Sequence, residues 1–230
     1  MHGVPYEQQT VDRRNPIARF THQTRIRKSK RLVCQHLTPY ATVLDYGCGQ
    51  GRFLHDLAID IRNHQRHARL VGYDPFMTAK FEGYRVVSDV NEFDAESVDI
   101  LTSLEVCEHL TDAELQEFMD FAGKVLTPEG KLLVSVPIEI GPAVLAKEIS
   151  RCILHRRHLE MSVSELLRAA ILGSPAPRAE NRKNSHRGFD WRNLRRILTE
   201  TFSCEHIEFS PLPIPTWYGQ SQVFMVFRRS

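Results

Sequence analysis

No two of the five cysteines, Cys34, Cys48, Cys107, Cys152 and Cys204, stand in a C-x-x-C pair, and their number is odd. Free thiols in a reducing compartment follow, rather than a disulfide framework. No apolar run trails the initiator Met, and no stretch comes near the roughly 18 apolar residues of a spanning helix. Together these absences predict a cytoplasmic protein. Internal repeats are missing as well. Acidic residues are missing from residues 13–31, which hold eight Lys or Arg, so the N-terminal arm is a cationic patch on a chain with a formal charge of +2. What remains is 230 residues, 42% hydrophobic and 25% charged, enough for one substantial core and ordinary for a soluble globular domain.

Residues 1–20 carry Pro5 and Pro16 among polar residues and read as an extended arm. A helix is expected from Thr21 to a stop at Pro39, with Ile26, Leu32, Val33 and Leu37 near one face. Short apolar and β-branched runs at residues 42–46, 69–74, 84–87, 98–104 and 131–136 predict five strands. After the first, Phe53, Leu54, Leu57, Ala58 and Ile61 recur at helical spacing; before the last, residues 111–126 are amphipathic and open with the capping box Thr111-Asp112-Ala113-Glu114. Pro128-Glu129-Gly130 reads as a turn. Alternating strands and helices predict a mainly parallel sheet with helices on both faces. From Ile138 the rhythm breaks: residues 138–172 look helical, with a basic cluster at Arg151 and residues 155–158, and a Gly/Pro-rich loop follows to about residue 184. A helix near residues 190–200 and two strands near 204–209 and 223–228 close the chain, the strands pairing as an antiparallel edge.

The first strand runs into Asp45-Tyr46-Gly47-Cys48-Gly49-Gln50-Gly51. Three alternate glycines behind an acid strip Cβ atoms from the inside of the turn, so a nucleotide-like cofactor can lie against backbone N–H groups and the positive end of the next helix. Open α/β sheets bind ligands at the carboxyl ends of their strands. Four such ends here carry polar residues: Asp45 to Gly51, Asp74, Ser88-Asp89 and Glu105. Asp74 lies 23 residues past Gly51, where an acid for ribose hydroxyls belongs, and Asp89 is placed to accept from an adenine amino group. A dinucleotide turn needs a small residue where this chain has Arg52, and a P-loop needs Gly-Lys-Ser/Thr, which is absent.

These residues resemble the class I S-adenosylmethionine-dependent methyltransferases. The likeness rests on Val43-Leu44-Asp45-Tyr46-Gly47-Cys48-Gly49-Gln50-Gly51, Gly72-Tyr73-Asp74, Ser88-Asp89-Val90, Leu104-Glu105-Val106-Cys107-Glu108-His109-Leu110 and Leu126-Thr127-Pro128-Glu129-Gly130-Lys131, and spans about residues 40–137. It implies an α/β, Rossmann-like fold: a mostly parallel seven-stranded sheet with an antiparallel edge strand and an inserted helical cap. Its expected parts are an N-terminal arm and helix (1–40), a cofactor-binding core (41–137), a helical insertion over the acceptor site (138–188), and a C-terminal helix with an antiparallel strand pair completing the core (189–230). By the same resemblance, the glycine turn (Asp45, Gly47, Cys48, Gly49, Gly51) holds the methionyl end of S-adenosyl-L-methionine. Asp74 with Pro75 serves the ribose, Asp89 and Val90 serve the adenine, and Glu105 lies beside the cofactor. Tyr46 stands where the family often has a small or aliphatic residue.

An activated sulfonium methyl group needs in-line approach more than strong acid–base help, but an oxygen nucleophile needs a proton acceptor. His109 is expected as that base, beside Glu105 and Glu108. If the segment turns helically, Glu105, Glu108 and His109 share one face, and two carboxylates with an imidazole suit Mg2+ or another divalent metal that lowers a hydroxyl's pKa. The Glu-x-x-Glu-His pattern resembles both the ubiquinone-pathway O-methyltransferases and the small-RNA 3′-end 2′-O-methyltransferases. In the RNA enzymes a further His precedes a Phe-acid-Trp segment; His186-Arg187-Gly188-Phe189-Asp190-Trp191 is similar and adds His186 to the metal set. Two acceptor readings stand. One is a small molecule, glycan or lipid-linked intermediate, methylated under an insertion whose amphipathic helix covers the pocket or lies on a membrane surface as a peripheral contact. The other is RNA, its phosphates met by the cations of residues 13–31 and 182–187, although few aromatics interleave with them.

Overall fold

The computed structural model describes residues 16–155, 161–183 and 185–229. Its strands are β1 (Ala41–Tyr46), β2 (Ala68–Tyr73), β3 (Arg85–Val87), β4 (Val98–Leu104), β5 (Leu126–Pro137), β6 (Phe202–Ser210) and β7 (Gln222–Arg229). They form one sheet in the order β3-β2-β1-β4-β5-β7-β6. The first five are parallel, and β7 pairs antiparallel with both β5 and β6. Strand order reverses between β1 and β4, so their carboxyl ends flank the crevice where such sheets bind ligands. Because β7 runs against β5, the chain between β6 and β7 lies at that same edge, with Gln222 opposite both Pro137 and Ser210.

Helices cover both faces, as the alternation predicts. Val43, Leu70, Ile100, Leu133 and Phe224 meet Leu32 and Val33 of α1 (Pro16–His36) and Leu54, Leu57 and Ile61 of α2 (Arg52–Asn63). Their sequence neighbours Leu44, Val71, Leu101, Leu132 and Met225 point the other way, as the period of two requires. That face packs against Leu115, Phe118 and Ala122 of α3 (Asp112–Val125) and Trp191, Leu194 and Leu198 of α6 (Trp191–Leu198). Each fully buried Leu, Ile or Phe here contributes about 1.5–3 kcal/mol. The α3 capping box forms: Thr111 Oγ1 accepts from Glu114 N and Glu114 Oε2 accepts from Thr111 N.

Three boundaries differ from the sequence reading. Residues 16–20 are helical, because Pro at the first position of a helix loses no hydrogen bond; the rest of the expected arm, residues 1–15, lies outside the described residues. Pro128-Glu129-Gly130 is an excursion inside β5: Leu126 already pairs with Val98 before Lys131 pairs with Ile100. Within 138–188, α4 (Pro142–His155) and α5 (Val163–Leu167), which runs on as a π turn over Arg168–Leu172, are separate helices with a second capping box at Ser162. They share a small core of Val144, Met161, Leu166, Ala169, Ala170 and Ala176. The side chains of the basic cluster at 151–158 lie outside the described ones.

Four of the eight cations of the expected patch are paired within the fold. Lys28 and Arg31 pair with Glu208, Lys30 with Asp60 and Arg25 with Glu105. In residues 182–187, Arg182 pairs with Asp112, Lys183 with Glu114 and Arg187 with Glu165. These seven charges, which looked available to a phosphate backbone, hold elements of the fold together.

Candidate active site

From β1 the chain turns through Gly47, Gly49 and Gly51, all at positive φ (74°, 55° and 80°). The three glycines face different surroundings. A Cβ on Gly47 would stand 2.6 Å from Cγ2 of Val106, and one on Gly51 would sit 2.2 Å from the Tyr84 ring. Gly49 has nothing within 4 Å, so it is the open lip of the turn. The Gly47–Val106 approach also sets the segment after β4 directly on the turn.

Four of the turn's own donors are already engaged, those of Gly47, Cys48, Gly49 and Gly51. Gly47 N and Cys48 N donate to Tyr73 O (2.8 and 3.0 Å), Gly51 N to Cys48 O (2.9 Å) and Gly49 N to Oδ2 of Asp74 (3.0 Å). A phosphate would find these groups taken. Carboxylates stand there instead: Asp74, whose Oδ1 accepts from Phe76 N and Met77 N, and Asp45, which accepts from Thr102 Oγ1 at 2.7 Å. Burial pushes the Asp45 carboxyl up to about 7, against the lowering effect of the Thr102 hydrogen bond. Cys48 lends the turn its backbone, while its Sγ tucks against Gly72, where a Cβ would come within 2.5 Å of it. Pro75 is exposed beyond Asp74, and the exposed Asp89 caps the short turn Val90–Glu92 by accepting from Asn91 N.

The second cluster begins at Glu105, a non-glycine residue at φ 61°, a conformation that costs on the order of 1–3 kcal/mol and persists only when neighbours enforce it. Its N–H donates to Ser135 O, and its carboxylate takes Gln222 Nε2, Ser135 Oγ and the Arg25 guanidinium at 3.1 Å. The next turn, Cys107–His109, carries Glu108, fully buried with neither carboxylate oxygen hydrogen-bonded. Burial and then Glu105 raise its pKa well above the ordinary range. His109 Nδ1 lies 3.0 Å from Arg182 O, so that nitrogen carries the hydrogen and Nε2 is left as a lone pair. Burial lowers the His109 pKa, the Arg182 contact opposing it. Nε2 faces Nε2 of His186 at 3.2 Å, and His186 Nδ1 lies 3.6 Å from Oε1 of Glu139. Burial opposes ionisation of Glu139, but Lys147 at 2.9 Å and His186 outweigh it and hold the carboxyl at about 2.

Glu108, His109 and His186 therefore converge, each offering a ligand atom within 4.8 Å of the others. Glu105 does not join them, since its carboxylate turns to Arg25 and Gln222. Loop residues 174–183 and 185–188 are pinned over the cluster: Arg178 donates to Glu108 O and Arg187 O, and Arg182 grips Asp112 at 2.7 Å. Sequence reasoning missed Arg25, Arg178, Lys147 and Gln222, which carry no local signal. Glu139 was findable, as an acid just past the carboxyl end of β5.

A sheet of this order with an acid-flanked glycine turn at its switch point is the architecture of class I methyltransferases. The methyltransferase domain family matches residues 12–195, and the chain belongs to it as an S-adenosylmethionine-dependent methyltransferase. Comparison with curated proteins gives no match. Among solved structures, a Pyrococcus horikoshii protein shares 16% identity over 99% of this chain and all of its own, with a TM-score of 0.62. Burkholderia thailandensis 1,6-didemethyltoxoflavin-N1-methyltransferase, solved with its substrate and S-adenosylhomocysteine, shares 18% over 100% of this chain and 92% of its own, at a TM-score of 0.57. Synechocystis magnesium protoporphyrin IX methyltransferase with S-adenosylhomocysteine shares 18% over 99% and 89%, at 0.53. At such identities these likenesses speak for the fold. The residues present fit the cofactor on their own chemistry: an open lip at Gly49, engaged N–H groups, and two carboxylates suited to a cationic ligand rather than a phosphate.

Proposed function

We propose that the protein methylates a hydroxyl oxygen of a small-molecule, glycan or lipid-linked acceptor bound under residues 138–188. Asp45, the glycine turn, Asp74, Asp89 and Val90 hold the cofactor, and His109 receives the acceptor's proton. The cofactor supplies, when bound, a methyl group on a sulfonium centre that needs no further activation. The chain's own task is to orient the hydroxyl and take its proton. One observation carries this reading: the Arg182 carbonyl fixes the tautomer of His109 and leaves its Nε2 as an acceptor, 3.2 Å from Nε2 of His186. A proton arriving there is shared with His186, whose far nitrogen faces ionised Glu139. An amine that arrives unprotonated needs no such base, so the oriented imidazole favours oxygen.

Calorimetric titration with S-adenosylmethionine tests the donor site; absence of binding at millimolar ligand removes it. Labelled cofactor offered with a metabolite and lipid extract, and separately with total RNA, tests the acceptor. Label in the small-molecule or lipid fraction is expected; label in RNA would overturn the preference, which the engaged cations of α1 and residues 182–187 support.

A second reading has its own observation. The His109 and His186 imidazoles face each other, Nε2 to Nε2 at 3.2 Å, beside a buried carboxylate without partners, an arrangement of ligand atoms that a cation bridges. A divalent metal on Glu108, His109 and His186 would make His109 a ligand and lower the hydroxyl's pKa directly. Two imidazoles favour a Zn2+- or Mn2+-like ion over Mg2+. Metal analysis of the purified protein, with thermal midpoints before and after EDTA, decides it: unchanged midpoint and turnover leave the base reading alone.

A further inference from the structure

Tyr84, the residue before β3, spends its whole hydrogen-bonding capacity on the glycine turn and the segment facing it. Its Oη donates to Gln50 O at 2.6 Å and accepts from Lys80 N and Phe81 N, both at 3.3 Å. A hydroxyl offers one O–H and two lone pairs, so this one oxygen is fully used, and all three partners are backbone groups. Gln50 belongs to the turn, between the open Gly49 and Gly51; Lys80 and Phe81 belong to the segment that leads from Asp74 to Tyr84. The ring behind the hydroxyl fills the place of a side chain on Gly51, whose Cβ would meet it at 2.2 Å.

The same segment carries the other hold on the lip. Asp74 at its start accepts from Gly49 N through Oδ2 and from Phe76 N and Met77 N through Oδ1. Adjacent residues of the lip are thus gripped by side chains at opposite ends of one segment, Gly49 by Asp74 and Gln50 by Tyr84. Near its far end the segment is fastened to the start of α2: the His55 ring stacks on Phe81 at 4.9 Å, His55 Nδ1 lies 3.1 Å from Glu82 O, and Arg52 lies over the Phe81 ring at 5.9 Å. Lys80 is exposed, and Gln50 and Phe81 are half-buried, so water can replace the hydroxyl in each bond at small cost to the fold. Separate waters on these groups do not tether the turn to the segment. We propose that the Tyr84 hydroxyl is a positioning group for the cofactor, holding the turn that meets its methionyl end in register with the Asp74 segment that meets its ribose. The proposal rests on the cofactor placement given above. It serves a ligand that spans both parts; a nucleoside that reaches the Asp74 segment alone gains little from it.

Calorimetric titration with S-adenosylhomocysteine, which spans turn and segment, and with methylthioadenosine, which lacks the amino-acid end, reads the effect without any turnover. Tyr84→Phe keeps the ring and removes the oxygen. It is expected to weaken S-adenosylhomocysteine about five- to tenfold, the net contribution of one neutral hydrogen bond, and methylthioadenosine by less than about twofold, with the thermal midpoint lowered by no more than about 3 °C. Tyr84→Leu is expected to give the same ratio between the two ligands on a lower midpoint, because it also empties space beside Gly51. Unchanged S-adenosylhomocysteine affinity in Tyr84→Phe would overturn the proposal, leaving Tyr84 as packing, and so would an equal loss for both ligands, which makes it a prop of the nucleoside end alone. If the unsubstituted protein binds neither ligand, the cofactor placement itself falls; binding that Tyr84→Phe leaves intact removes only the role of Tyr84.

Discussion

The two halves of the carboxyl edge are built differently. In the cofactor half, the named N–H groups find partners close along the chain, the widest being Gly47 to Tyr73, 26 residues apart. In the acceptor half, contacts span 70 residues between Arg178 and Glu108, 73 between His109 and Arg182, and 117 between Gln222 and Glu105. There, buried polar atoms go unpartnered, including both oxygens of Glu108. Satisfied local geometry makes a preformed cradle for one ligand; unsatisfied long-range geometry leaves a site that a substrate or ion completes.

The largest expected effect falls on the acceptor half. His109→Ala should lower kcat by about 10²–10⁴, the range for a lost general base, with S-adenosylmethionine affinity unchanged by calorimetry. His186→Ala should cost less, about tenfold, because it shares the proton rather than receiving it first. Full turnover in His109→Ala would erase the distinction between the halves on which the base assignment rests.

Next come the glycines of the cofactor half. Gly51→Ala places a methyl group 2.2 Å from the Tyr84 ring at φ 80°, and should lose about 2–5 kcal/mol from left-handed strain of ~1–2 and overpacking of ~1–3. Gly49→Ala meets no atom within 4 Å and should lose only the strain, about 1–2 kcal/mol. Yet it should abolish more cofactor binding than its stability cost suggests, because the lip is where a ligand approaches. Urea midpoints and calorimetry on the pair separate scaffold from site.

Much of this half was legible because its signals are local: a short apolar strand, alternate glycines, an acid 23 residues on. The fold was legible for the same reason, in the alternation of short apolar runs with helical spacing along the chain. What escaped needed distance. Pro128-Glu129-Gly130 looks like a turn unless one knows that Leu126 pairs with Val98. The cations of α1 look like a patch until Glu208 and Asp60 are folded against them. Of the expected metal set, Glu105 sits on the same segment as Glu108 and His109, but its left-handed backbone aims its carboxylate at Arg25 instead.

Asp45 gives the cofactor half a pH signature. Its carboxyl stays protonated in the folded chain up to about 7, whereas in the unfolded chain it ionises near its ordinary 3.8. Between those values the folded state holds the extra proton, so stability falls as pH rises from about 4 to about 7 and levels off above. At about 1.4 kcal/mol per pH unit, the whole loss is on the order of 4 kcal/mol. Asp45→Asn should flatten this slope in urea titrations across that window and weaken cofactor binding at neutral pH. A slope unchanged in Asp45→Asn would place the titration elsewhere.

The smallest effect sharpens the comparison most. Asp112 is exposed, and its pair with Arg182 is the kind of surface contact worth about 0.2–1 kcal/mol. Asp112→Ala should therefore barely move the thermal midpoint. But the same Arg182 offers the carbonyl that fixes the His109 tautomer, and its guanidinium anchors the loop to the start of α3. Loosening that anchor should lower kcat roughly three- to tenfold, since misplacing a catalytic group by a fraction of an ångström is costly to rate. S-adenosylmethionine affinity should not change. An equal loss in cofactor affinity would mean that the two halves share one support, and that the loop over residues 174–183 and 185–188 braces the glycine turn as well as the histidine pair.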